Sequence, residues 1–244
     1  MPDLAFWGSG SGQFFPRYTF EDRAANSDLL SVLDDDGTPY RRIDNVTEEI
    51  LSDYQKSFGG GVTKDDIFFY LYGILHSSDY RGQFEGDLKK MLPRIPKSKD
   101  FRAFSDAGRK LSALHLNYET VELYPLDEHR GVNASFRVEN MKYAKTGRVA
   151  DKTTVIYNSE ITIFGIPEEA HEYMLGSRSA IDWIIERYQV KTDKASGIIN
   201  DPNDWADGQG NPRYILDLLA RIVTVSVETV RIVNALPSLD ILDA

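Results

Sequence analysis

The hydrophobic period of this chain changes near residue 120, and that change constrains its fold more than any other feature. Before it, apolar residues recur at helical spacing, as in Ile67, Phe68, Leu71, Ile74 and Leu75, and again in Phe101, Phe104, Leu111 and Leu114. After it, β-formers cluster or alternate in Val121–Tyr124, Ala134–Val138, Thr153–Tyr157 and Ile161–Phe164. Thr146-Gly147 and Asn158-Ser159 punctuate that region as turns. A single switch of this kind predicts an α+β fold, a helical layer packed around a small antiparallel sheet of about three to five strands.

Local signals place the element ends. Thr47-Glu48-Glu49 opens a helix that Gly59-Gly60-Gly61 closes, and Thr63 with Asp66 has the spacing of a capping box for the next. Ser98 to Asn117 reads as a third helix. Pro167-Glu168-Glu169 begins another, interrupted at Gly176-Ser177 and resumed through Trp183, Ile184, Ile185 and Tyr188. Asn211-Pro212 reads as the N-cap and first-turn proline of a long C-terminal helix ending near Pro237. Its Asp217, Arg221, Thr224, Glu228 and Arg231 step by helical spacing, a polar stripe that no membrane span would carry. Phe14–Phe20 reads as a short edge strand that tolerates Pro16, and Asp34–Pro39 as a turn. The expectation is one unit over 1–244, with 1–119 a mainly helical half and 120–244 the sheet plus C-terminal helices.

The chain has no cysteine, which excludes disulfides, thiolate zinc sites and a cysteine nucleophile. The start, Met1-Pro2-Asp3-Leu4, lacks the features of a signal peptide, and the expected compartment is a reducing cytoplasm. The net charge of −10 is the wrong sign for binding DNA by bulk charge. It is unevenly spread: residues 81–110 hold nine Lys and Arg against four acids, and residues 140–152 hold four against Asp151. A basic strip on an acidic body can bind phosphates. Composition alone favours the simpler reading, in which these charges are solvated helix faces.

Catalysis has no visible carrier. Phe6-Trp7-Gly8-Ser9-Gly10 matches a loose S-adenosylmethionine loop, and Asn211-Pro212-Arg213-Tyr214 approximates an amino-methyltransferase motif. The first lacks the buried strand and helix that such a loop joins, and the second is better explained as a helix start. Asp87-Leu88-Lys89 has no acidic partner on a strand for nuclease chemistry. His76, His115, His129 and His171 are too dispersed for a spaced metal motif, and no cofactor is expected in this chain.

DNA recognition has more support. Arg94, Lys97, Lys99 and Arg102 flank two prolines that stiffen a turn between helices, and are the first candidates for phosphate or base contacts. Lys142, Lys145 and Arg148 are second. Lys191 and Lys194 stand in a long polar connection that runs on through Asn200-Asp201-Pro202-Asn203-Asp204-Trp205, and such connections are often functional. The clusters at 94–102 and 142–152 are expected to converge on one concave surface that fits a duplex. The competing classes are a fragment of an S-adenosylmethionine-dependent adenine methyltransferase and a protein-interaction module without DNA contact.

Several blocks, in order, carry a family resemblance. They include Phe15-Pro16-Arg17-Tyr18-Thr19, Thr63-Lys64-Asp65-Asp66-Ile67-Phe68, Leu92-Pro93-Arg94-Ile95-Pro96 and Leu114-His115-Leu116-Asn117-Tyr118-Glu119. Lys191-Thr192-Asp193-Lys194-Ala195-Ser196-Gly197-Ile198 and Pro212-Arg213-Tyr214-Ile215-Leu216-Asp217 continue the series. Together they resemble the C-terminal target recognition domain of type ISP restriction-modification enzymes. The resemblance implies double-stranded DNA as partner, and a large bacterial enzyme whose upstream nuclease, helicase-like and adenine-methyltransferase domains do the chemistry. The residues that read bases differ between members of that family.

Overall fold

The computed structural model describes residues 16–22, 39–88 and 93–242. The glycine–serine run at 8–12, Phe14-Phe15, the turn at 34–38, and Lys89 and Lys90 lie outside the described residues. Strand β1 (Tyr18–Asp22) pairs antiparallel with β2 (Tyr40–Asp44). Helix α1 (Glu48–Phe58) starts where the Thr47 hydroxyl accepts from the Ile50 N–H, and it ends at Gly59, whose φ of 98° suits a residue without Cβ. Helix α2 (Lys64–His76) has the expected capping box: Thr63 Oγ1 accepts from Asp66 N–H at 3.1 Å, and an Asp66 carboxylate oxygen accepts from Thr63 N–H at 3.0 Å. Short helices α3 (Ser78–Gln83) and α4 (Glu85–Leu88) follow, then α5 (Phe101–Leu116). Tyr54, Ile67, Tyr70, Ile74, Tyr80, Phe101 and Phe104 form the core of this helical half. Aromatic rings make up much of that core, with Tyr70 set edge-on to Phe104 at 6.2 Å.

The second half holds a four-stranded antiparallel sheet, β3 (Asp127–Arg130), β4 (Lys142–Thr146), β5 (Val149–Ile156) and β6 (Ile161–Phe164), in the order β3-β6-β5-β4. The β4–β5 hairpin turns at Gly147, φ 66°. A 3-10 turn at Glu168–Glu172 leads to the small ribbon β7 (Met174–Leu175) and β8 (Arg178–Ser179), then to α6 (Ala180–Arg187). A second ribbon, β9 (Lys191–Thr192) and β10 (Ile199–Asn200), precedes α7 (Asn203–Gly208) and the long α8 (Tyr214–Asn234). Helix α8 buries Leu216, Leu219, Val223 and Val227 against Val155, Tyr157, Ile161 and Ile163 of the sheet. The fold is thus α+β, helices around a small antiparallel sheet with a long C-terminal helix. None of the described helices is long and apolar enough to cross a membrane.

Two expected strands are not strands, and in both the backbone finds other partners. Residues 121–124 lie along the polar stripe of α8: Tyr124 N–H donates to Ala220 O, Thr224 Oγ1 to Glu122 O and Arg221 Nε to Val121 O. Residues 134–138 are tied by side chains instead of a ladder. Asn158 Nδ2 donates to the carbonyls of Ser135 and Arg137, both at 2.8 Å, and Tyr157 OH donates to Phe136 O at 2.8 Å. The N-cap of α8 is Arg213; Asn211-Pro212 forms the turn before it, with Asn211 O accepting from Tyr214 N–H. The connection through 191–205 is not a continuous loop, since β9, β10 and α7 occupy it.

Candidate nucleic-acid interface

The segment carrying the first four cations is fixed from below by two buried tyrosines. Tyr80 OH donates to Arg94 O at 3.0 Å; Tyr70 OH donates to Pro96 O at 2.6 Å and accepts from Ser98 N–H at 2.7 Å. The stiff turn that the prolines announced is therefore also anchored. Its side chains are largely engaged within the chain. Lys97 Nζ lies 2.8 Å from an Asp53 carboxylate oxygen and 5.3 Å from the centre of the Tyr54 ring, and donates to Ser57 Oγ at 2.9 Å. Lys99 pairs with Asp240 at 2.9 Å, and Arg102 with Asp66 at 2.9 Å. Arg109 also reaches Asp66, at 3.1 Å. Burial works to raise the Asp66 carboxyl, but bonds from Thr63 and Arg102 outweigh it and hold it below the usual carboxylate range. The Asp66 carboxylate thus lies between two arginines, which favour its ionised form. Arg94 alone of the four has no carboxylate partner among the described residues, and it is exposed.

The other cations stand differently. Lys142, Lys145 and Arg148, on and beside the β4–β5 hairpin, are exposed and have no carboxylate partner among the described residues. The same holds for Lys191 and Lys194 on the β9–β10 ribbon. The two hairpins share a root: Val190 N–H donates to Glu139 O at 3.1 Å, and Gln189 Nε2 donates to Met141 O at 2.7 Å. Lys142 follows Met141 directly and Lys191 follows Val190, so both basic fingers leave the body at one place. The 94–102 segment sits on the other core, over α1 and α2, and no hydrogen bond or ion pair joins it to 142–152 among the described residues.

The ribbon turn is self-built. Asp193 Oδ1 accepts from Ala195 N–H at 3.0 Å, Ser196 N–H at 2.7 Å and Ser196 Oγ at 2.8 Å, while Gly197 N–H donates back to Asp193 O at 2.8 Å. The Ser196 and Ala195 donors hold the Asp193 carboxyl below its ordinary range. Gly197 takes the left-handed conformation, φ 72°, that closes the turn.

The sequence from 1 to 218 matches the family model described as the type ISP C-terminal specificity domain. The chain belongs to this family. Solved structures agree with that placement. A structure described as the ATP-dependent type ISP restriction-modification enzyme LlaBIII bound to DNA superposes with a TM-score of 0.79 at 35% identity, covering 96% of this chain. A nuclease-deletion mutant of the type ISP enzyme LlaGI, in complex with a DNA substrate mimic, gives 0.68 at 44% identity over 82% of this chain. The DrdV–DNA complex gives 0.70 at 33% identity over 81%. This type ISP specificity domain spans 14% of the LlaBIII and LlaGI chains and 20% of the DrdV chain. No curated protein was found to match it.

Two of the four histidines of this specificity domain, His76 and His115, serve its interior, whereas His129 is exposed on β3. His115 Nδ1 is 2.8 Å from Tyr72 OH and its Nε2 is 2.8 Å from Thr229 Oγ1, while His76 Nδ1 is 2.8 Å from Tyr72 O. Burial, and then the neighbouring His76, lower the His115 pKa to about 4. Among the described residues no group of His, Asp and Glu could hold a metal ion. Sequence reasoning missed the internal pairing of Lys97, Lys99 and Arg102. Their partners Asp53, Asp66 and Asp240 lie far off in sequence, and only the capping role of Asp66 was visible.

Proposed function

We propose that this chain binds duplex DNA and selects its sequence for a type ISP restriction-modification enzyme in a bacterial cytoplasm. Methylation of adenine and ATP-dependent translocation and cleavage belong to nuclease, helicase and methyltransferase domains of the same enzyme, with which this unit, folded as one domain over 1–244, makes contact. The observation that carries the reading is the pair of basic fingers with a common root. Lys142, Lys145, Arg148, Lys191 and Lys194 project from a family fold that recurs in DNA-bound enzymes, and none is neutralised by a carboxylate among the described residues. Such a cation meets a phosphate without first giving up an internal partner. Lys97, Lys99 and Arg102 would each have to leave a carboxylate, so they rank behind the fingers, with Arg94 the exception.

The net charge of −10 fits this arrangement. An acidic body disfavours duplex contact away from its basic regions, which orients the encounter. The test is a titration of the chain against duplex DNA at several salt concentrations. A slope of log affinity against log salt near −4 to −5 is expected, about −0.9 for each of five phosphate contacts. Affinity that is absent, or indifferent to salt, overturns the reading.

A further inference from the structure

Past Tyr143 the β4–β5 hairpin leaves the body of the domain. Tyr143 is tied down, its OH donating to Asp182 Oδ1 at 2.7 Å, and the register of the pair shifts between Tyr143 and Ala144. A shift of that kind bends a ribbon away from its sheet. Beyond it residues 145–150 are all exposed, so neither face of this end lies on a core. Its own turn sets its shape: Gly147 and Arg148 connect the strands, and Gly147, at φ 66°, suits the twist of a two-residue hairpin. Thr146 pairs with Val149 across the ladder, and paired residues share a face, so the two side chains stand together just behind the turn. Val149 is 72% exposed.

We propose that this hairpin lies in the major groove of DNA, with Val149 against the 5-methyl group of a thymine and Lys145 and Arg148 on the phosphates of the groove walls. The inference rests on the DNA-binding reading above and adds a side chain that selects a base. Charge favours DNA over a protein cleft as the occupant. Lys142, Lys145 and Arg148 have no carboxylate partner among the described residues, and the one acid within 142–152, Asp151, is turned back along its strand. It accepts there from Thr153 N–H at 3.0 Å and from Thr153 Oγ1 at 2.6 Å. The major groove, about 12 Å wide, admits a two-stranded ribbon, whereas the minor groove, about 6 Å wide, does not. Thymine is the one base that presents a methyl group there, and Val149 is the largest apolar side chain within 144–150. The hairpin also stands outside the blocks that carry the family resemblance, none of which falls between Glu119 and Lys191. A shared side chain cannot make one member's site differ from another's.

The experiment selects binding sites from a random duplex pool with the wild-type chain and with V149A, then measures affinity for the selected duplex with thymine or deoxyuridine at each T. The wild type should lose roughly three- to five-fold at one thymine on removal of the methyl, the worth of burying one carbon group. V149A should lose that discrimination while keeping the wild-type salt slope, since it removes no charge. V149I, which keeps an apolar β-branched side chain, should retain it. A V149A chain with the same thymine dependence overturns the role of Val149, as does a wild type whose selected site holds no methyl-dependent thymine; salt-dependent binding in either case leaves the DNA reading standing. A wild type without salt-dependent duplex binding overturns both. Circular-dichroism spectra and melting temperatures that match wild type exclude unfolding as the cause of any loss.

Discussion

Gly73 and Gly108 face each other where α2 crosses α5, closely enough that neither position has room for a side chain. A Cβ on Gly108 would stand 1.9 Å from Phe69 O and 2.7 Å from Gly73 N; one on Gly73 would stand 2.2 Å from Phe104 O. The obstructing atoms are backbone, so relief requires the helices to separate. This contact brings Phe104 and Phe101 onto Tyr70 and so builds the helical core.

Gly108→Ala should therefore destabilise the chain by about 1–3 kcal/mol, the usual cost of overpacking, even after the roughly 1 kcal/mol that alanine gains over glycine in a helix. Gly82→Ala, at a helical glycine with nothing within 4 Å, should be neutral or slightly stabilising. Urea unfolding of the two variants beside wild type measures the difference. Equal midpoints would mean that the helices part at no cost.

His115 joins the halves: it sits on α5, bonds Tyr72 of α2 and Thr229 of α8, and stacks on Tyr173 at 5.3 Å. Its folded pKa, about 4, lies below the ordinary 6.5, so between those values the unfolded chain binds more protons. Stability is then full above pH 6.5 and falls as the pH drops toward 4; the lowered pKa of His76 acts in the same direction. In H115Q the decline of melting temperature over that window should be shallower. A decline as steep as in wild type would place the acid sensitivity elsewhere.

Elements whose partners are local were legible in the sequence. The Thr63–Asp66 capping box, the Gly59 stop and the Gly147 hairpin depend on neighbours within a few residues, and all three form. Residues 134–138 show the opposite case. They alternate like a strand, yet their bonds go to Asn158, Tyr157 and Asn203, whose positions only the folded chain defines. The site followed the same rule. A run of cations was visible, but whether each was neutralised depended on acids as distant as Asp240 from Lys99.

Asn203 supplies the sharpest test of that substitution of side chains for a strand ladder. Its buried amide accepts from Val138 N–H at 2.7 Å and donates to Val138 O at 2.9 Å, as a neighbouring strand would. Asn203→Ala should cost about 2–4 kcal/mol, since two buried backbone groups lose their partner. Asn203→Asp should cost at least as much, since it sets a buried carboxylate against Val138 O and against Asp201, to which the amide now donates at 2.7 Å. Amide exchange at Val138, rapid in the alanine variant and slow in wild type, localises the effect.

The contrast between paired and unpaired cations gives a last test, one that separates the two basic regions. Removing a phosphate contact lowers the salt slope by about one per residue, so Lys145→Ala with Arg148→Ala should reduce its magnitude by about two. Lys99→Ala should leave the slope nearly unchanged, because Asp240 already neutralises that ammonium, and its exposed pair contributes at most about 1 kcal/mol to folding. If Lys99→Ala lowered the slope while the hairpin pair did not, duplex would bind over α1 and α2, and the carboxylates there would have to release their cations on contact. The two outcomes exchange which site lowers the slope, so one set of titrations across salt decides which face meets DNA.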